Sequence, residues 1–244
     1  MKKIRWDILV SVCVCVFAIN FAEAAGYTVM EGGIANGGIV QGRISFEGTP
    51  PSPKMLTIDQ DVEACGGDRP SEELLVSKGG GIKNVVLSIE DIASGKDWGF
   101  SEEFVYDQKK CTFVPHVLLI KPKDKGVVLN SDSVGHNFHT VSKGIYNVNK
   151  KIKADAKMIV EENKIRRSGT VQAKCDIHSW MGGWWIVAET PYTVISDEDG
   201  KFSITDIPPG TYKLKVWHET LGESEQEVIV KAKEAAEINV SLKL

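Results

Sequence analysis

After residue 25 the apolar positions recur at period two, and no stretch reads as a convincing amphipathic helix. Short alternating segments are punctuated by Gly, Pro, Asn and Asp, a pattern that predicts β-sandwiches. Gly38 to Phe46 reads as a strand, stopped by Pro50, Pro51 and Pro53. Val85, Leu87 and Ile89 alternate with Val86, Ser88 and Glu90 after the break Gly79-Gly80-Gly81. Phe113 to Ile120 is a nearly continuous apolar run, as expected of one buried strand. Further strands are predicted where Val171, Ala173 and Cys175 alternate with Gln172 and Lys174, and over Trp184 to Ala188. Ile145 to Arg167 is polar and irregular, with room for a short helix.

The last part of the chain has the clearest pattern. Asp199-Gly200 is a hairpin turn signal. Phe202 and Ile204 alternate with Lys201, Ser203 and Thr205, and Pro208-Pro209-Gly210 makes the next turn. Tyr212, Leu214 and Val216 face one way, and Ile238, Val240, Leu242 and Leu244 form a last strand. This suits a small antiparallel sandwich beginning near Pro191, with no flexible linker before it.

The 244 residues allow one large or two small domains, and 42% hydrophobic with 25% charged content is ordinary for a soluble protein. A formal charge of −4 gives no electrostatic case for nucleic-acid binding. The N-terminus reads as a signal peptide over 1–24. Lys2, Lys3 and Arg5 precede the apolar run Ile8 to Ala22, and Ala22-Glu23-Ala24 fits a cleavage site before Ala25. The run is short for a membrane span, so no stable span is expected after cleavage and the mature chain is expected in the periplasm or another exported location. Cleavage takes the formal charge to −5 and removes Cys13 and Cys15.

Cys65, Cys111 and Cys175 remain, an odd number in an oxidising compartment, where two are expected to pair. Cys175 sits in Cys175-Asp176-Ile177-His178-Ser179-Trp180-Met181. Thiolate, imidazole and thioether so close together select copper and tune it for one-electron transfer. That leaves Cys65–Cys111 as the candidate disulfide, worth about 4 kcal/mol in the chain-entropy model. A second cluster, Gly135-His136-Asn137-Phe138-His139, lies 39 residues before Cys175. On a strand His136 and His139 point to opposite faces, so one of them at most faces a shared metal.

Cys-x-x-His-x-x-Met preceded by His-Asn-x-His resembles the cupredoxins, with the loop spacing most similar to amicyanin. The resemblance covers roughly 111–189, with a possible start near 82. It implies one type 1 copper held by His136, Cys175, His178 and Met181. It also implies that Asn137 ties the two ligand loops together and hydrogen-bonds the thiolate. His139, His116 and the Trp217-His218-Glu219 cluster are expected to be structural rather than ligating. Trp180, Trp184 and Trp185 crowd the loop, either as core or as an apolar docking collar around an exposed histidine edge. Zinc is the metal rival, but a thioether is a poor zinc ligand.

Ser196 to Ile204 followed by Ile207-Pro208-Pro209-Gly210-Thr211-Tyr212 resembles the carboxypeptidase regulatory-like domain, a transthyretin-like sandwich. In that family the domain often opens with a Gly-rich strand, so 38–46 is a candidate to complete the C-terminal sandwich. The resemblance implies no peptidase activity.

The expected architecture is all-β: a cupredoxin-like Greek-key sandwich packed on a smaller transthyretin-like sandwich. The expected division is 1–24 signal peptide, 25–81 N-terminal β segment, 82–189 copper domain and 190–244 regulatory-like domain. The expected function is an exported blue copper protein passing single electrons to or from a redox protein, with a c-type cytochrome as candidate partner. The alternative is copper sequestration, or a cell-envelope scaffold. Only five histidines exist, and no catalytic serine, phosphate loop or metalloprotease motif accompanies them, so the residues fit a carrier or metal binder better than an enzyme.

Overall fold

The computed structural model describes residues 27–99 and 103–244; the signal segment expected over 1–24 lies outside the described residues. The described part is almost entirely β, in two double-sheeted units. Among the described residues no helix is long and apolar enough to cross a membrane.

The first unit pairs a four-stranded sheet (Lys157–Val160, Lys125–Asn130, Glu103–Gln108, Phe113–Val114) with a five-stranded one. The second sheet runs Asn149–Ile152, His136–Val141, Gly169–Lys174, Gly182–Val187, Val117–Ile120. Aromatic rings from both sheets fill the space between them. Tyr106 stacks on Phe113 at 5.2 Å, and Trp185 meets Phe104 and Phe138 at 5.1 Å each. Such pairs add about 0.5–1.5 kcal/mol beyond their buried area. Two expectations change here. The run 113–120 is two strands, broken at Pro115, which has no N–H for a ladder. The polar segment 145–167 holds the strands Asn149–Ile152 and Lys157–Val160, with no helix.

The second unit pairs Thr193–Ile195, Val86–Glu90, Gly210–His218 and Gly222–Val230 against Lys201–Ile207, Gly38–Phe46 and Ala235–Leu242. Gly38–Phe46 runs between Lys201–Ile207 and Ala235–Leu242. Val86–Glu90 bonds to Gly210–His218 and Thr193–Ile195. The boundary expected at residue 82 therefore does not coincide with a change of sheet. The turn at Asp199-Gly200 is tight, with Gly200 at φ +77° and no room for a Cβ against the Ile44 carbonyl. The strands it joins diverge into facing sheets rather than forming a hairpin.

A small apolar seam joins the units: Val86, Val117 and Ile186, flanked by Leu119, Trp184, Ile195 and Trp217. Trp184 and Trp217 meet edge to face at 5.2 Å. At its rim the Glu219 carboxylate accepts from Trp184 Nε1 at 2.8 Å and hydrogen-bonds to His116 Nε2. His116 is buried, which works to lower its pKa, but Glu219, Glu72 and Glu73 together hold it above 6.5. His218 is also buried, and burial pushes it down to about 4 despite Glu219.

The two histidines respond to pH in opposite directions. The His116 contribution is complete below pH 6.5 and is lost as pH rises through the raised folded value. The His218 contribution is complete above pH 6.5 and is lost as pH falls toward about 4. Glu219→Gln removes the charge that holds His116 up. Urea unfolding should therefore show a larger loss of stability in this variant at about pH 6 than at about pH 9. An equal loss at both would separate the pair from the pH response.

Candidate metal centre

Three buried donors converge where the five-stranded sheet meets the loop after Gly169–Lys174. His136 starts its strand facing inward, and Cys175 and His178 sit in the tight turn between two paired strands. His136 Nδ1 and His178 Nδ1 lie 2.9 Å apart, and Cys175 Sγ is 3.8 Å from His178 Nδ1. One ligand atom from each of the three lies within 4.8 Å of the other two. Met181 is buried in the same turn, whose path is fixed by Met181 N–H to His178 O (2.9 Å) and Cys175 N–H to Met181 O (3.3 Å). Gly183 leaves no space for a Cβ beneath the Tyr106 hydroxyl, so the strand leaving the turn lies close on the core.

Two carboxylates set the chemistry. Asp132 Oδ2 accepts from His136 Nε2 at 2.9 Å, and Asp61 Oδ2 accepts from His178 Nε2 at 2.9 Å. A carboxylate takes a proton-bearing nitrogen, so both rings carry their hydrogen on Nε2. Both Nδ1 lone pairs then face each other and the sulfur. The sulfur itself accepts backbone N–H groups from Asn137 (3.3 Å) and His178 (3.4 Å). Both Nδ1 atoms and the sulfur thus lie together at one buried place, close enough for a single metal ion to be held by all three. Burial pushes the His136 imidazole below its usual pKa against the pull of Asp132, and His178 adds to the lowering. The donor set of one thiolate, two imidazoles and a nearby thioether fits copper.

Asp61 and Asp132 gave no signal in the sequence, since neither lies in a motif. Asp132 also accepts backbone N–H groups from Lys110 at 2.5 Å and Cys111 at 2.7 Å. Both residues are left-handed, at φ 52° and 51°, a conformation costing about 1–2 kcal/mol each. Asp61, also left-handed at φ 50°, precedes the four-residue helix Val62–Cys65, and Cys65 is disulfide-bonded to Cys111. This short segment carries the carboxylate that meets His178 Nε2, and its disulfide sulfurs lie within 4.8 Å of a nitrogen of that ring.

Other expectations land differently. Both His136 and His178 are 0% exposed, so no histidine edge is open to a collar of tryptophans. Trp184 and Trp185 alternate on one strand: Trp185 is 0% exposed in the core, while Trp184 faces the seam between units. Trp180 is half-buried and donates to the Cys111 carbonyl at 3.3 Å. Asn137 reaches the sulfur through its backbone; its side chain donates instead to Asn149 Oδ1 at 2.7 Å. Asn149 makes the tie between the loops, donating to Asp176 Oδ2 at 2.8 Å. His139 points away from the three donors and bonds Asp176 at 2.8 Å.

Residues 183–243 match the family model of the carboxypeptidase regulatory-like domain. No curated protein sequence matches the chain. Among solved structures, a copper-containing nitrite reductase from Thermus scotoductus SA-01 is 18% identical over 36% of this chain, with a TM-score of 0.33. The match spans 22% of that enzyme's chain. A purple cupredoxin from Nitrosopumilus maritimus is 17% identical, covering 34% of this chain and 98% of its own, at a TM-score of 0.29. An oxidised mutant form of amicyanin is 20% identical, covering 49% of this chain and 95% of its own, at a TM-score of 0.31.

Asp132→Ala removes the acceptor from two left-handed backbone N–H groups and one imidazole at once. It should cost about 3 kcal/mol or more, measured by urea unfolding of the metal-free chain. A change under about 1 kcal/mol would mean that the carboxylate does not organise these groups.

Proposed function

We propose that this chain is an exported type 1 copper protein that carries single electrons. His136, Cys175 and His178 are its strong ligands and Met181 its weak one. The reading rests on one observation: two Nδ1 lone pairs and the Cys175 sulfur converge on a buried point within 4.8 Å. Bound copper supplies the one-electron couple. The chain's own residues supply a fixed cage. Asp61 and Asp132 hold the rings in one tautomer, and two backbone N–H groups hold the sulfur in one position and draw charge from it. A cage that is already formed changes little between oxidation states. The disulfide suits an oxidising compartment, which supports export to the periplasm or an equivalent space. A redox protein such as a c-type cytochrome would dock over the mouth of the cleft lined by Trp180, Met181 and Trp184.

A second reading is copper sequestration or delivery. The burial of both ligand histidines supports it, because a covered ligand edge slows electron exchange with a partner.

Loading the mature chain with Cu(II) should give an intense visible thiolate-to-copper band that Cys175→Ser abolishes. A colourless loaded protein would end the type 1 reading. Voltammetry with a chelator challenge separates the two functions: a carrier gives a reversible wave and keeps its metal in both states. Loss of copper on reduction with no reversible wave would favour sequestration.

A further inference from the structure

The Cys65–Cys111 disulfide lies beside the same two histidines. Both of its sulfurs lie within 4.8 Å of a His178 ring nitrogen. Cys111 also forms a group of the same size with Asp132 and His136. Asp61, whose carbonyl accepts the Cys65 N–H at 2.9 Å, holds a carboxylate oxygen 2.9 Å from His178 Nε2. Bonded to each other, the two sulfurs are poor donors. Reduced, they become two soft donors side by side, with an imidazole and a carboxylate at hand. Two sulfurs sharing one ion sit about 4 Å apart, so small side-chain rotations close the pair.

We infer that reduction of Cys65–Cys111 creates a second soft-metal site, formed by the Cys65 and Cys111 sulfurs beside His178 and suited to Cu(I). The site adjoins the one proposed above but needs neither Cys175, His136 nor Met181. The reductant is a small dithiol; the cleft of about 620 Å³ is lined in part by Cys111, which is itself 0% exposed, so attack on the sulfur follows a transient opening of the segment Asp61–Cys65. One dithiol sulfur attacks the protein disulfide and its partner sulfur releases the second cysteine. The dithiol leaves as a cyclic disulfide, having passed two electrons and two protons to Cys65 and Cys111. Each new thiol gives up its proton as it binds the ion.

The test is a titration of the full chain with Cu(I) alone against a colorimetric Cu(I) chelator, before and after dithiol treatment and anaerobic desalting. Thiol counting fixes the state of the disulfide, and circular dichroism fixes the state of the fold. Bound copper should rise from about one to about two equivalents on reduction, and in Cys175→Ser from about none to about one. Reduced Cys65→Ser should fall back to about one. An unchanged stoichiometry in reduced, folded protein overturns the inference, as does uptake of the extra ion only after the strand spectrum is lost. If the oxidised chain binds no copper while reduced Cys175→Ser binds one equivalent, the second site stands and the electron-carrier reading falls.

Discussion

The centre depends on two carboxylate–imidazole hydrogen bonds. Without Asp61 and Asp132 each histidine could carry its proton on either nitrogen, and each ring could flip. With them the hydrogens are held on Nε2 and both Nδ1 lone pairs are committed to the interior. The arrangement is unfavourable for a chain alone, because it buries facing lone pairs beside a sulfur. Asp132 meets part of that cost locally. The same carboxylate that orients His136 also stabilises two left-handed residues at 110 and 111, so ring orientation and loop shape cannot vary separately.

The chain's path explains how a covering segment comes to lie there. Gly38–Phe46 belongs to the second unit, and so does Val86–Glu90. Between them the chain leaves that unit, crosses the metal-centre side of the first, is fastened at Cys65 and returns. On the way Glu73 accepts a hydrogen bond from Thr220 at 2.7 Å, and Glu72 lies 3.9 Å from His116. The residues that cover the ligands are thus continuous with those that meet the seam between the units. Trp184, in the same paired strands that carry the ligand turn, ends on Glu219 of the second unit. The two sandwiches are mechanically one object around this centre, although their cores are separate.

What the sequence revealed follows the range of the forces involved. Period-two alternation is local, so Gly38–Phe46 and the strands around 201–218 were legible with their facing residues. The cluster of Cys175, His178 and Met181 was legible because one turn carries all three, and alternation alone turns His139 away from His136. Glu103–Gln108 and Lys125–Asn130 were not anticipated; they pair in parallel across the four-stranded sheet, a partnership no local pattern announces. Asp61 and Asp132 were invisible for the same reason. Each is an ordinary acidic residue in a polar loop until the fold places it against an imidazole. The two readings of the tryptophans divide on a local rule: residues 184 and 185 of one strand cannot share a face, so Trp185 is core while Trp184 lies at the seam between the units.

The covering segment also shows how such a centre can be closed without being sealed. Its helix is a single turn of four residues, too short to hold itself, and its antiparallel pair, Met55–Leu56 with Arg69–Pro70, is two residues long. The apolar residues of the segment that fasten it to the first unit's core are Leu56, Ile58 and Cys65. The disulfide closes a loop of 46 residues in sequence separation, worth about 4 kcal/mol, more than any other single interaction in this segment. The cover over His178 therefore combines packing by Trp180, at 5.1 Å between ring centroids, with a covalent bond whose sulfurs lie within 4.8 Å of a ring nitrogen. In a protein whose proposed work is to move electrons, the strap over the centre is the other group nearby that can accept them.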